Sequence, residues 1–153
     1  MVDEYSKCVV LDCGSSSMKG GFAGEDAPRA VSSSVVGTRR FKAHAALQTS
    51  QSKLFGEEAQ WQRATLSLEH PIQRGIITNI DAMEDLWRHT LSNYLRVFPW
   101  DDYAVLLSQA VLNPKLNGQK ILQSMFETFE ANGCYLSNPG TLALYSSGRT
   151  TGL

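Results

Sequence analysis

Apolar and polar positions change rhythm along the chain, and each rhythm predicts an element. "KCVVLDCG", from Lys7 to Gly14, is a β-branched run that reads as a buried strand. "SSMKGGFAGE" follows a Ser/Gly turn and predicts a second strand, and "RAVSSSVVG" predicts a third. Turns this short imply an antiparallel meander. From Thr38 to Phe55 the chain is polar, rich in Ala, Ser and Gln, and aperiodic, which predicts an exposed loop. Glu57 to Arg63 predicts a short helix. After "HPIQRGIITN", Met83, Leu86, Trp87, Leu91, Tyr94 and Leu95 recur at helical spacing, and Asp81 with Glu84 has the spacing of a capping box. "AVLLSQA" (Ala104 to Ala110) predicts a strand and Asn113-Pro114 a turn. Ile121, Leu122, Met125, Phe126 and Phe129 then predict a second amphipathic helix. "CYLSN" predicts another strand, Thr141 to Ser147 a brief helix ending near Gly148, and "SGRTTGL" the start of a further strand. A meander, a variable insertion and then alternating helices and strands place the chain in the α/β class, with a mixed sheet covered by helices.

Composition narrows the function classes. The 153 residues suit one domain that buries roughly two-thirds of its unfolded surface, and a 42% apolar, 19% charged composition is that of a globular chain. A net charge of −1 supplies no global field for nucleic acid or an anionic membrane. The basic spot from Thr38 to Lys42 is short and reads as a solvated loop. No apolar run approaches the ~20 residues of a membrane span, and the polar, acidic start "MVDEYSK" is not a secretory signal. Cys8, Cys13 and Cys134 are odd in number and lack C-x-x-C spacing, which points to reduced thiols in a cytosolic-type compartment. His44, His70 and His89 are scattered and form no metal-ligand pair.

The stretch that could carry chemistry is "LDCGSSSMKGGFAG", Leu11 to Gly24. It is neither a Walker loop nor a dinucleotide fingerprint. Small residues let backbone N–H groups approach an anion, serine hydroxyls add donors, Lys19 can neutralise charge, and Asp12 can hold a hydrated Mg2+. A hairpin turn whose Ser and Gly residues serve backbone geometry explains the same residues. On chemistry alone the two readings stay open.

The surrounding words resemble a known family. "DCGSSSMKGGFAGEDAPRAV", "FGEEAQ", "PIQRGIITNIDAMEDLWRHT", "LNPK", "MFETF" and "LYSSGRTTG" are similar to actin in order and spacing, over essentially the whole chain. The resemblance implies the first part of an actin-like ATPase (ribonuclease H-like) fold, an α/β half-fold. Residues 1–33 and 70–153 would form the first lobe of the small domain without its C-terminal segment. Residues 34–69 would form an inserted second lobe with a mobile loop, Phe41 to Gln51. The larger actin domain and the second phosphate loop would lie beyond Leu153. By the same resemblance Asp12, Gly14, Ser15, Ser16, Ser17, Met18 and Lys19 form the first phosphate loop for ATP or ADP with Mg2+, Asp12 ordering water around the metal. Leu144 and Tyr145 would line one wall of the cleft where actin-binding proteins dock.

Departures from the family shift the expected function. Ser16 stands where actins carry glycine, bringing a β-carbon to a place where backbone approaches phosphate. Pro139 occupies the position of the glutamine that orients the attacking water, and proline has no side-chain donor or acceptor for that task. Arg74 replaces the histidine that actins methylate. The expectation is therefore an actin-like structural or cytoskeletal assembly subunit in the cytoplasm, with an ancestral phosphate loop and little or no hydrolysis. Protein partners, other actin-like or complex subunits, would cover the exposed half-fold; nucleic acid and membrane insertion are not expected. The alternative is an ordinary ATP-binding, filament-forming actin relative of which this is the N-terminal part.

Overall fold

The structure is a computed structural model and describes residues 7–40, 53–98 and 102–152. In chain order the elements are β1 (Lys7–Cys13), β2 (Ser17–Phe22), β3 (Ala30–Ser33), β4 (Val36–Arg39), β5 (Lys53–Phe55), α1 (Gly56–Trp61), β6 (Leu66–Glu69), β7 (Ile72–Gln73), β8 (Ile76–Ile77), α2 (Ile80–His89), β9 (Tyr103–Ser108), α3 (Lys115–Gln123), β10 (Gly133–Ser137) and α4 (Pro139–Ser146). The central sheet has the order β10-β9-β1-β2-β3. The first three strands run antiparallel as the predicted meander, and β9 pairs in parallel with both β1 and β10, so the sheet is mixed.

Alternation along these strands sends one set of side chains into the core. Val9, Leu11, Met18, Val105 and Leu107 are all 2% exposed or less, and they share one cluster with Met83, Leu86, Trp87, Leu91, Ile121 and Met125 from the two long helices. Full burial of each such side chain stabilises the fold by about 1.5–3 kcal/mol. The opposite face is open. There Val10 and Leu106 are only half-buried, and Val31 and Tyr135 are 60% and 66% exposed.

The predicted third strand divides in two. Ser34 is fully buried, its N–H donates to the Ser16 carbonyl, and its hydroxyl donates to the Gly14 carbonyl. The next side chain, Val35, enters a separate small cluster with Leu54, Ala59 and Leu66. The chain therefore leaves the central sheet at Ser34 and begins a second one, ordered β5-β4-β6. Part of the expected loop from Thr38 to Phe55 is strand as well: Lys53–Phe55 pairs with β4. Only one buried residue, Leu54, marks it, too little to produce a visible period. The rest of that expectation, with the loop Phe41 to Gln51, lies outside the described residues.

Helix ends differ from expectation for identifiable reasons. Asn79, not Asp81, caps α2; its Oδ1 accepts from the Ala82 N–H at 3.1 Å. Asp81 lies inside the first turn, where its charge complements the helix dipole. Both long helices continue into π-helical turns, Thr90–Leu95 after α2 and Ser124–Thr128 after α3. A π turn shifts the helical phase. Tyr94 and Phe126, predicted on the buried faces, are thus 43% and 47% exposed, whereas Leu95 and Phe129 are buried. The last helix begins at Pro139, and Arg149 to Gly152 form no strand.

Candidate functional site

Because β1, β9 and β10 are mutually parallel, Cys13, Ser108 and Ser137 end on the same edge of the sheet. In open α/β sheets, crevices beyond the carboxyl ends of parallel strands are where ligands bind. Three segments gather at this edge: the Gly14–Ser16 turn after β1, the residues following Ser108, and the start of α4. The β7–β8 hairpin joins them. Its tip holds Arg74 and Gly75 at φ 53° and 77°, a left-handed pair that glycine adopts freely and arginine at a cost. From that tip the Gly75 N–H donates to Ser15 Oγ at 2.9 Å.

The turn itself leaves donors without partners. Gly14 N–H donates to the Ser17 carbonyl at 3.1 Å, and a side chain at Gly14 would come within 2.8 Å of that same oxygen, so only glycine fits. Ser34 engages the Gly14 and Ser16 carbonyls, its hydroxyl at 2.7 Å and its N–H at 2.9 Å, and so turns these acceptors inward. Among the described residues the backbone N–H groups of Ser15 and Ser16 have no partner. Successive free N–H groups with hydroxyls beside them form an anion-binding concavity. Ser16 is exposed, and it is not among the non-glycine residues with positive φ, which are Arg74, Arg96 and Glu130. Serine at this position, where the resemblance leads one to expect glycine, therefore carries no backbone strain.

The two charged groups face each other across β1 and β2, where Asp12 and Lys19 are register partners. Lys19 Nζ lies 3.5 Å from Asp12 Oδ2, with both side chains about half-exposed. An exposed pair of this kind contributes at most about 1 kcal/mol, so a metal ion and a phosphate can replace it. Asp12 Oδ1 accepts from the Ser108 hydroxyl at 2.7 Å, while Ser108 Oγ accepts from the Cys13 N–H at 3.0 Å. A groove of about 380 Å³ runs from Asp12 and Lys19 along Val10 and Gly21 to Pro28.

Two residues of the predicted loop act from below. Met18 is 1% exposed with its side chain in the core, so it can meet a ligand through its backbone alone. Cys13 accepts from the Trp87 indole N–H at 3.3 Å, and burial pushes its thiol up to about 12. A thiol held that high is not a nucleophile at neutral pH. Pro139 is the first residue of α4, which Asn138 caps through Oδ1 to the Gly140 N–H at 2.8 Å. Ser108 was not singled out by sequence reasoning. Its only signal is a hydroxyl residue closing an apolar strand, in "AVLLSQA".

The family model described as Actin matches residues 3–153. The chain belongs to the actin family. The mixed sheet and its helices are accordingly an α/β actin-like half-fold, as the resemblance implied. Actin-family members generally bind ATP or ADP with Mg2+, typically bind protein partners, and are generally cytoplasmic or cytoskeletal. The donor set at this sheet edge fits a phosphate group: free N–H groups at Ser15 and Ser16, three serine hydroxyls, one cation and one carboxylate. No helix among the described residues is long and apolar enough to cross a membrane.

Proposed function

We propose that this chain is a structural assembly subunit of actin type that holds nucleotide phosphate at its first loop and hydrolyses it slowly or not at all. One observation carries the assembly reading: the open face of the central sheet. Val10 and Leu106 are half-buried there, Tyr135 and Val31 are mostly exposed, and α4, "PGTLALYS", has no buried residue although it is almost entirely apolar or small. Uncovered apolar residues grouped on one face mark an interaction site. Its occupants in this reading are other actin-like or complex subunits in the cytoplasm or cytoskeleton.

For the nucleotide, the free backbone N–H groups of Ser15 and Ser16 and the hydroxyls of Ser15, Ser16 and Ser17 would receive phosphate oxygens, and Lys19 would balance their charge. Asp12 would order water around Mg2+, which when bound offsets phosphate charge and polarises the terminal phosphoryl group. Little hydrolysis follows from Pro139, since phosphoryl transfer depends on positioning the attacking water and this side chain can neither donate nor accept. Calorimetric titration with Mg-ATP, followed by phosphate-release measurement on the same sample, tests both parts. Binding without turnover is expected. Absence of binding refutes the phosphate role, and turnover that Asp12→Ala abolishes refutes the non-hydrolytic role.

The same open face also suits coverage by further segments of a longer chain, which is the ordinary filament-forming alternative. The intact mass of the native protein separates the two. A mass matching 153 residues supports partner coverage, and a larger one supports the alternative.

A further inference from the structure

We infer that Ser108 is the positioning residue of this edge, the group that keeps Asp12 aimed at a metal-phosphate ligand and away from Lys19; the inference rests on the phosphate-binding reading above. Ser108 closes β9, and the β1–β9 register that pairs Leu11 with Leu107 brings it opposite Asp12. A serine hydroxyl has one proton to donate and lone pairs to accept with. Here the proton goes to Asp12 Oδ1 at 2.7 Å and a lone pair takes the Cys13 N–H at 3.0 Å. One side chain thus fixes both the carboxylate and the strand end from which the phosphate turn departs.

The consequence lies in what Asp12 does without it. Among the described residues the only other side-chain partner of Asp12 is Lys19, already 3.5 Å from Oδ2. With Ser108 in place, Oδ1 is held toward β9 and the ion pair stays long and single. Without it the carboxylate is free to close on Lys19. The loop's two charges then neutralise each other, and both become less available to a magnesium-bound phosphate. Loss of Ser108 also leaves the Cys13 N–H without its acceptor next to the turn. A residue serving only to stabilise the strand end would not discriminate between nucleotide with and without metal.

The discriminating measurement is calorimetric titration of the whole chain with ATP, in the presence and absence of Mg2+. Ser108→Ala lowers Mg-ATP affinity by about tenfold, the lower end of the worth of one lost hydrogen bond to a charged group. Affinity for metal-free ATP stays within about twofold, and Ser108→Thr, which keeps the hydroxyl on a strand-compatible side chain, restores binding. Equal losses with and without metal, or no loss at all, overturn the inference. If the alanine variant does not fold, Ser108→Cys, a weak donor of similar size, takes its place.

A second measurement needs no nucleotide. A double-mutant cycle of Asp12→Asn and Lys19→Met, read from urea unfolding, gives the Asp12–Lys19 coupling. That coupling rises when the cycle is repeated in the Ser108→Ala background; an unchanged coupling overturns the inference. If the unaltered chain binds no Mg-ATP, the phosphate reading fails, while the cycle still decides the role of Ser108.

Discussion

On β9, Leu107 is 2% exposed in the cluster that contains Trp87 and Met125, whereas its neighbour Leu106 points to the other side of the sheet and stays partly exposed in register with Tyr135. The residue type is the same, one position apart on one strand, yet the surroundings differ. Two amphipathic helices seal the first face. Nothing among the described residues seals the second, although Val10, Leu106, Val31 and Tyr135 make it apolar. The sealed face explains why the half-fold holds together. The open face explains why we read it as a subunit made to be covered.

The largest expected effect tests this contrast on β9 itself. Leu107→Ala lowers unfolding free energy by about 2–5 kcal/mol, because a sealed cavity remains. Leu106→Ala lowers it by less than about 1.5 kcal/mol, since less apolar surface is lost and solvent or rearrangement fills the gap. Urea denaturation of the two variants decides it; equal losses would break the contrast.

Helix caps give the next largest difference. Asn79 caps α2, which is anchored on the sealed side, and Asn79→Ala costs about 1 kcal/mol of global stability. Asn138 caps α4, which has no buried residue. Asn138→Ala therefore shifts global stability by less than about 0.5 kcal/mol and instead speeds amide exchange within α4.

A smaller effect depends on pH. His89, at the end of α2, stacks on Phe55 of β5 at 4.8 Å and accepts through Nδ1 from the Asn93 side chain at 2.8 Å. Burial holds its pKa below the ordinary 6.5, partly opposed by the carboxylate of Glu58 on α1. Lys53, Asp85 and Arg88 line the same cleft, with Lys53 and Arg88 both paired to Asp85. The folded chain thus binds fewer protons here than the unfolded one, and stability falls as pH drops below about 6.5. Urea midpoints between pH 7.5 and 5.5 should show this fall, and His89→Gln should reduce it.

Thiol labelling sharpens the comparison without perturbing the fold. Register places Cys8 on the open face, opposite Ala104, while Cys134 pairs with Val105 on the sealed one. Burial pushes Cys13 to about 12 and Cys134 to about 11. At pH 8 an aromatic disulfide reagent should modify Cys8 first and leave Cys13 unmodified until the chain unfolds.

Much of the sealed half was legible in the sequence. The strands β1, β9 and β10 and the helix α2 carry apolar patterns long enough to be read, and the Ser/Gly run after Asp12 could be read as a tight turn between two strands. What escaped depends on contacts between distant positions. The break between β3 and β4 follows from the Ser34 hydroxyl reaching Gly14, and the Ser15–Gly75 bond joins residues sixty positions apart. Ser108 meets Asp12 across 96 positions. Asn79 and Asp81 are both good capping types, and only the backbone decides which one caps. The π turns leave no mark in an apolar period computed for ordinary helices, so Tyr94 and Phe126 were assigned to the wrong face.

The most direct test of the open-face reading is hydroxyl-radical footprinting of side chains, on the isolated chain and on the assembly recovered from its native source. Tyr135 and Tyr145 are each 66% exposed, Trp61 is 81% exposed, and Trp87 is fully buried, so the molecule carries its own controls. Tyr135, Tyr145 and Trp61 should react in the isolated chain, and Trp87 should not. In the assembly Tyr135 and Tyr145 should become protected while Trp61 stays reactive. If Tyr135 reacts equally in both samples, the open face is not a docking surface.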